Sequence, residues 1–161
     1  MFIRALVLLF MSSFAFADGG AVKVDYPNNY RDWSHIKSMV IFNKSHPLFD
    51  AFAGIHHVYG NKSAIDSLKK DAAFPKGATL AFDLLAIEEA SGAYTEGKRK
   101  FLAVMVYDTA KYKDSKGWGW QVFADGDAKK PQLKTIAEQA ACAACHTEVQ
   151  SKHFVFTGWR K

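Results

Sequence analysis

Cys142-Ala143-Ala144-Cys145-His146, close to the C-terminus, is the stretch around which this 161-residue chain is organised. The C-x-x-C-H pattern predicts covalent attachment of a c-type haem. Both thiols add to the haem vinyl groups as thioethers, and the histidine reaches the iron as an axial ligand. The sequence therefore predicts one haem c bound through Cys142 and Cys145, with His146 as the metal ligand.

Other uses of the two cysteines, which are the only ones in the chain, fit less well. A disulfide across so short a loop removes little chain entropy. A thioredoxin-like redox pair needs a strand just before the motif, whereas the residues before Cys142 have a helical pattern. A zinc site needs two more ligands at motif spacing. Haem attachment uses both cysteines and the adjacent His146 together.

The N-terminus has the features of a secretory signal peptide. A short basic start and an apolar run within residues 1–11 precede the small-x-small cleavage site Ala15-Phe16-Ala17. We expect residues 1–17 to be removed and residues 18–161 to form a single haem-binding domain. The apolar run is too short to span a bilayer, and no later stretch is longer. In a Gram-negative source, the predicted compartment is the periplasm.

Composition narrows the range of partners. Aromatic residues make up 14% of the chain, with 13 Phe and 4 Trp, which suits a buried macrocycle, although an aromatic-rich β core is an alternative. The formal charge is +5, but the basic residues are dispersed and form no stripe with interleaved aromatic residues. This pattern predicts no nucleic-acid partner. An anionic redox partner protein remains compatible with the charge.

The middle of the chain predicts an α+β fold built on an antiparallel sheet of about four or five strands. Apolar and β-branched runs are the strand candidates, with helix as the competing assignment for the second of them. They are Ile55–Tyr59, Ala78–Glu88, Phe101–Tyr107 and Trp118–Phe123. Asn61 or Ser63 is predicted to cap a helix after the first strand, and residues 91–97 are predicted to be the connection of a hairpin. Residues 35–39 fit a short helix and residues 39–42 a short strand.

A C-terminal helix is predicted from Gln132 onward, directly after Pro131, because its apolar residues repeat with a period of 3.6. This repeat runs into the haem motif. On a helix, Cys142, Cys145 and His146 share one face. The alanines between them allow a haem plane to approach the backbone closely.

The late position of the motif argues against the commonest electron carriers, which attach haem near the N-terminus and take a later Met as sixth ligand. The mature chain has only Met39 and Met105, and both lie in apolar runs, where Met is an ordinary core residue. Cytochromes c-prime also attach haem near the C-terminus, but they need four long amphipathic helices. A carrier that uses Met39, Met105 or His56 as sixth ligand remains one alternative.

Several segments, taken in order and spacing, resemble the cytochrome P-460 superfamily over nearly all of the mature chain. They are Tyr30-Arg31-x-Trp33, Ile55–Leu84, the Trp-rich strand 118–123, and Ala140–His146 followed by Val155-Phe156-Thr157. Only the C-x-x-C-H motif is specific by itself. The resemblance implies a largely antiparallel β fold, a homodimer, and a five-coordinate haem with the motif histidine as proximal ligand.

The superfamily has two functional branches. Cytochromes P-460 are enzymes that oxidise hydroxylamine and carry a lysine crosslinked to the haem. The corresponding place in this chain is Phe82, and the nearest lysine, Lys76, lies on the other side of Gly77. The chain resembles more closely the cytochrome c-prime-beta branch, which lacks the crosslink. That branch implies a distal haem face capped by phenylalanines, and binding of nitric oxide, CO and other small gases rather than enzymatic activity.

The resemblance makes Phe82 the first candidate for the distal cap. Phe52 is the second candidate and Phe49 its rival, because the segment before the first strand of this region borders the distal pocket in the family. A phenylalanine over the iron neither ligates it nor donates a hydrogen bond, so it excludes water and favours weakly polar ligands. Each of these residues also fits an ordinary core position.

Polar candidates are fewer. His56 falls where the hydroxylamine-oxidising branch carries a polar distal residue, so it is a candidate hydrogen-bonding group or sixth ligand. His56 and His57 alternate across a predicted strand, so at most one of them faces the haem, and an ordinary strand histidine is the alternative. Arg31, Lys98 and Arg99 are candidates for pairing with haem propionates.

Overall fold

Five strands form one antiparallel sheet in the computed structural model of the protein, which describes residues 23–160. The predicted signal peptide lies outside the described residues. The strands are β1 (Ser34–Ile41), β2 (Gly54–Gly60), β3 (Thr79–Ala90), β4 (Ala93–Tyr107) and β5 (Trp118–Ala124). Each strand pairs with its neighbours in chain order. The sheet is therefore a simple meander, and the predicted α+β class with an antiparallel sheet is confirmed.

Among residues 23–160, three α-helices and three short 3-10 turns connect and flank the strands. The helices are α1 (Phe49–Phe52), α2 (Lys62–Lys70) and α3 (Ile136–Thr147), and the 3-10 turns cover Tyr30–Asp32, Lys113–Ser115 and Gln150–Lys152. Within residues 23–160, no helix combines the length and the apolar character needed to cross a membrane. The predicted C-terminal helix is present, and it carries the C-x-x-C-H motif.

Asn61, rather than Ser63, caps α2. The side-chain oxygen of Asn61 accepts hydrogen bonds from the backbone N–H groups of Ala64 at 3.0 Å and Thr79 at 3.1 Å. It thereby joins the start of the helix to the start of β3 and satisfies a helix N–H that has no partner within the helix. Ala64 and Ile65 are buried against the sheet.

The hairpin between β3 and β4 is longer than predicted. The expected connection over residues 91–97 is wrong, because only Ser91 and Gly92 form the turn and β4 begins at Ala93. Both turn residues have positive φ, 53° and 76°. A two-residue turn of this kind matches the right-handed twist of the strands that it joins, so pairing continues to Ala90 and Ala93 at the tip.

Two boundaries predicted by periodicity also differ. Residues 35–39 belong to β1 and not to a helix. Helix α3 begins at Ile136 and not at Gln132, because the preceding segment pairs with the free edge of β5. The side-chain oxygen of Gln121 accepts a hydrogen bond from the backbone N–H of Leu133 at 2.8 Å, and this bond holds the segment in an extended form.

The two faces of the sheet carry different cores. The face that packs against α2 and α3, which we call the helix face, includes Ile36, Leu80, Met105, Trp118 and Trp120. The opposite face, which we call the N-terminal face because residues 24–33 cover it, includes Tyr30, Ala81, Leu102, Val104 and Phe123. Because side chains alternate along a strand, adjacent residues such as Leu80 and Ala81 contribute to different cores.

Candidate haem site

The motif lies on α3, with one thiol directed toward the core and the other toward solvent. Cys142 is half buried against the core of the helix face, and Cys145 is exposed. Both thiols are free, and burial raises the pKa of Cys142. The helix therefore presents two unbridged sulfurs three residues apart, followed directly by His146.

Two polar contacts fix the position of α3. At its start, Thr135 and Glu138 form a reciprocal capping box, in which the Thr135 backbone N–H donates to the Glu138 carboxylate at 2.8 Å. In the middle, the side-chain oxygen of the buried Gln139 accepts a hydrogen bond from the backbone N–H of Trp120 at 3.1 Å. That N–H lies on an edge strand, so the contact both anchors the helix and satisfies part of the sheet edge.

His146 is held so that one ring nitrogen is available. Its Nδ1 lies 2.7 Å from the carbonyl oxygen of Phe154. Burial lowers the pKa of His146, which favours the neutral ring. In the neutral ring Nδ1–H donates to the carbonyl, and the lone pair then lies on Nε2. Nε2 forms no hydrogen bond within residues 23–160, and this is the arrangement that metal-ligating histidines use.

The backbone after α3 is strained where it meets His146. His153 and Phe154 both have positive φ, 56° and 65°, a region that costs non-glycine residues roughly 1–2 kcal/mol each. These two residues turn the chain back, so that the Phe154 carbonyl reaches the imidazole of His146. The rings of Trp120 and Phe156 flank that imidazole, with centroid distances of 5.7 and 5.1 Å.

A second aromatic cluster lies on the helix face. The ring of Phe82 is 4.9 Å from that of His56, 5.8 Å from that of Phe52 and 6.1 Å from that of Phe101. The structure therefore brings together three of the residues selected from sequence and adds Phe101. Phe49, the rival of Phe52, lines a different groove. Nothing local in the sequence marks Phe101, because it joins the cluster through the register of β3 with β4.

A row of half-buried apolar side chains crosses the sheet through Phe82. Val58, Phe82, Ala103 and Val122 stand opposite one another in successive strands. Val58 and Cys142 both pack against the helix-face core. The aromatic cluster and the motif therefore share one face of the sheet, and the row on that face exposes apolar surface that a flat macrocycle would cover.

Buried polar atoms without partners occur on and beside this face. They include the indole Nε1 of Trp120, the hydroxyl of Thr157 and the Nε2 of His56, none of which forms a hydrogen bond to another described residue. Native proteins rarely leave buried polar groups unpaired. Trp120 and Thr157 can each donate to a carboxylate, which is the polar group of a haem. The thiols, the free Nε2 of His146, the apolar row and these donors together fit a haem c.

The proposed propionate partners have other roles in the structure. On the N-terminal face, the fully buried carboxylate of Asp83 accepts bonds from the Tyr30 hydroxyl at 2.7 Å and from Arg99 Nε at 2.6 Å. Arg31 lies 3.6 Å from the same carboxylate, and Lys98 lies 3.9 Å from Asp125. The structure therefore does not bring these three cations to the motif.

The two methionines are placed differently. Met105 is buried in the helix-face core, where it pairs with Trp120 across β4 and β5. Met39 is 47% exposed on the edge strand, opposite His56. His56 and His57 point to opposite faces of β2, as their alternation predicts, and it is His56 that joins the aromatic cluster.

Comparison with known proteins gives one result that spans the site. The model of the family described as Cytochrome P460 matches residues 27–157, from just before the first 3-10 turn to just beyond the contact of His146 with Phe154. No curated protein matches the chain.

Proposed function

Because the chain belongs to the cytochrome P460 family, which implies a covalently bound c-type haem, we propose that it is a periplasmic gas-binding haem protein. It resembles the cytochrome c-prime-beta branch and takes up nitric oxide, CO and similar small ligands at a five-coordinate iron. The gas is bound for transport, buffering or detoxification. Cys142 and Cys145 hold the haem, and His146 is the axial ligand.

The chain's own residues set the coordination on the proximal side. The Phe154 carbonyl orients the imidazole and fixes the tautomer that leaves Nε2 as the ligating atom. Burial between Trp120 and Phe156 keeps His146 neutral, as ligation requires. The haem supplies the iron–gas bond, while these residues supply a fixed fifth ligand.

The observation that carries the proposal is the aromatic cluster around Phe82. Phe82, Phe52 and Phe101 offer no donor, acceptor or nucleophile, so this region excludes water and gives anionic ligands nothing to offset their desolvation. Strand β3, on which Phe82 lies, contains no lysine. Lys76 is paired with Asp108 at 3.2 Å. By the family resemblance, Phe82 stands where the enzyme branch has its crosslinking lysine, and this supports a protein without a haem–lysine bond.

The absorption spectrum of the reduced holoprotein, with and without NO and CO, tests this proposal. We expect an open sixth position that binds both gases, together with a tryptic haem peptide that carries only the motif segment. Phe82→Ala should admit water and polar ligands, whereas Phe123→Leu, on the opposite face, should not. A six-coordinate spectrum in the resting reduced protein would contradict the proposal.

One observation favours the enzyme branch as a second candidate. His56 contributes a polar atom to an otherwise apolar cluster, and hydroxylamine oxidation requires groups that handle protons. That function also needs a haem–lysine bond. Mass spectrometry that finds a haem peptide joined to a second, lysine-containing segment would revive it.

We also propose that the protein is a homodimer, as its family resemblance implies. One end of the sheet supports this, because it has apolar side chains that are exposed among the described residues. They are Met39, Val40, Phe42 and Tyr94, and the rings of the last two stack at 6.3 Å. Sedimentation velocity of the holoprotein tests the oligomeric state.

A further inference from the structure

The segment between β1 and β2, residues 42–53, carries Phe52 into the aromatic cluster, and we call it the strap. Its helix α1 contains no buried residue, and Phe52 itself is half buried. The backbone N–H groups of Phe52 and Ala53 donate to the carbonyls of Leu48 and Phe49, which also belong to the strap. The strap therefore has no core of its own, and its position depends on the contacts at its C-terminal end.

Two side chains from the sheet hold consecutive residues at that end. The Nζ of Lys100, on β4, donates a hydrogen bond to the carbonyl oxygen of Ala53 at 2.9 Å. The imidazole of His56, on β2, hydrogen-bonds to the backbone of Phe52. Carbonyls in the last turn of a helix have no partner within the helix, so side-chain donors commonly satisfy them. Lys100 and His56 thereby tie the end of the strap to two different strands.

A β-bulge in β4 falls at Lys100. Leu84 of β3 stands opposite Phe101, and Leu85 stands opposite Arg99, so Lys100 is an extra residue of β4 in this register. Bulges re-aim side chains, and they are frequent beside functional sites. The next residue, Phe101, belongs to the aromatic cluster. One irregularity in β4 thus sets both a ring of the cluster and the donor that holds the strap.

Gly54 fixes the other side of this junction. Its φ of 142° lies in the region that favours glycine. A Cβ on Gly54 would overlap the carbonyl oxygen of Leu85. The chain therefore enters β2 in close contact with β3, directly after the Ala53 carbonyl that Lys100 holds. This junction leaves the end of the strap little freedom as long as Lys100 keeps its contact.

We propose that Lys100 is a positioning residue of the haem pocket. By holding the carbonyl of Ala53, it keeps the strap and the ring of Phe52 against the aromatic cluster, and this limits the rate at which small gases reach the iron. The ring of Phe52 lies 5.8 Å from that of Phe82 and 6.2 Å from that of Phe101. Lys100 acts through the strap and does not itself bind the gas. This inference rests on the proposed function, since it assumes an open sixth position beside the aromatic cluster.

The rate of CO rebinding after flash photolysis of the ferrous holoprotein tests the inference. Lys100→Met removes the donor and keeps an apolar stem, whereas Lys100→Arg retains a donor. Lys98→Met is the matched control, because Lys98 is on the same strand and its amine is paired with Asp125 at 3.9 Å. Hydrogen exchange of the peptide that contains α1, measured by mass spectrometry in the same variants, reports on the strap without any gas ligand.

We expect Lys100→Met to raise the CO association rate roughly fivefold, because losing one partly exposed hydrogen bond increases the population of the displaced strap by about that factor. Exchange of the amides in α1 should accelerate by a similar factor, while the amides in α2 exchange as before. Lys100→Arg should restore most of both effects, and Lys98→Met should change neither. A role in general stability alone would instead accelerate exchange in every helix and leave the CO association rate unchanged.

Two outcomes would overturn the inference. The first is a CO association rate that Lys100→Met leaves unchanged. The second is an equal acceleration in Lys98→Met, which would reduce the effect to the loss of a surface charge. A holoprotein that binds no CO refutes the proposed function and this inference together, whereas normal CO binding with either of the two outcomes refutes the inference alone.

Discussion

His56 and His57 are neighbours in sequence, yet their side chains lie in opposite environments. His57 has a polar neighbour at each ring nitrogen, because Nδ1 lies 2.7 Å from the hydroxyl of Ser38 and Nε2 lies 2.6 Å from the carboxylate of Glu96, although the orientation of this second contact is not that of a hydrogen bond. His56 leaves Nε2 buried and unpaired. Side chains alternate along a strand, and this alternation directs one of the two rings to each face of the sheet.

The same contrast holds for the two faces as a whole. On the N-terminal face, the buried carboxylate of Asp83 is fully paired with Tyr30 and Arg99. Around the helix face, buried atoms of His56, Trp120 and other residues have no partner in the described chain. The N-terminal face is stabilised by contacts within the protein. The helix face has polar capacity left over, which is what a binding surface requires.

The largest effect that separates the faces is expected from Asp83→Asn. Removing one member of a buried ionic group leaves the other charge unpaired, so we expect a loss of about 3–5 kcal/mol in the free energy of unfolding. Urea denaturation measures this loss. The CO spectrum of the folded variant should be unchanged, because Asp83 lies on the face without the motif. Asp125→Asn, which breaks exposed ion pairs with Lys98 and Lys130, is the control and should have little effect on stability.

A smaller effect on stability is expected when the pH is lowered, and it comes from His56 on the helix face. Burial lowers the pKa of His56 below its usual value of about 6.5. The unfolded chain therefore binds the proton more readily than the folded protein. The contribution of neutral His56 to the free energy of unfolding is fully present above pH ~6.5. It is lost as the pH falls from there toward the pKa that His56 has in the folded protein. Urea denaturation at several pH values should show this slope in the parent and in His57→Leu, and a reduced slope in His56→Leu. An equal slope in all three proteins would contradict the assignment.

A test of intermediate size is provided by the capping box at the start of α3. Thr135→Ala removes the hydroxyl of the capping box and should cost about 1 kcal/mol of stability. Thr147→Ala, on the same helix, removes a hydroxyl that only bonds back to the Ala143 carbonyl at 2.8 Å, and should cost less. Thermal denaturation compares the two variants. Equal losses would show that the cap contributes nothing particular.

The smallest effect is expected from Glu96→Gln. The Glu96 side chain is 45% exposed, so its contact with His57 is partly screened by solvent. Exposed ion pairs contribute below about 1 kcal/mol, and we expect a loss within that limit that shrinks further at high salt. A loss as large as that of Asp83→Asn would mean that the two faces do not differ in the way described.

Local patterns in the sequence predicted the elements, and long-range register decided the details. The motif helix, the four strand candidates and a cap at Asn61 or Ser63 depend on residues close together in sequence. These elements were predicted, and the structure selects Asn61 as the cap. Phe101 was missed because its place beside Phe82 depends on how β4 aligns with β3.

Competition from other partners explains the remaining differences. Leu133 has the right period to extend α3, but Gln121 holds its backbone to the edge of β5 instead. The sequence made Arg99 a candidate partner for a haem propionate. In the structure, Arg99 pairs instead with the carboxylate of Asp83, which strand alternation places in the core. The grouping of Phe52, Phe82 and His56 was expected from family resemblance, and the structure places the three rings together.

The meander has a consequence for the order in which the protein assembles. Every strand pairs with the one before it, so the sheet is made of contacts between consecutive segments, and such contacts form early in folding. Helix α3 packs chiefly on β5, the last strand to be added. The sheet and its aromatic cluster can therefore be complete while the cysteines at the end of the chain are still accessible. Under the proposed function, covalent attachment at Cys142 and Cys145 would then be the last step, on a surface that has already formed.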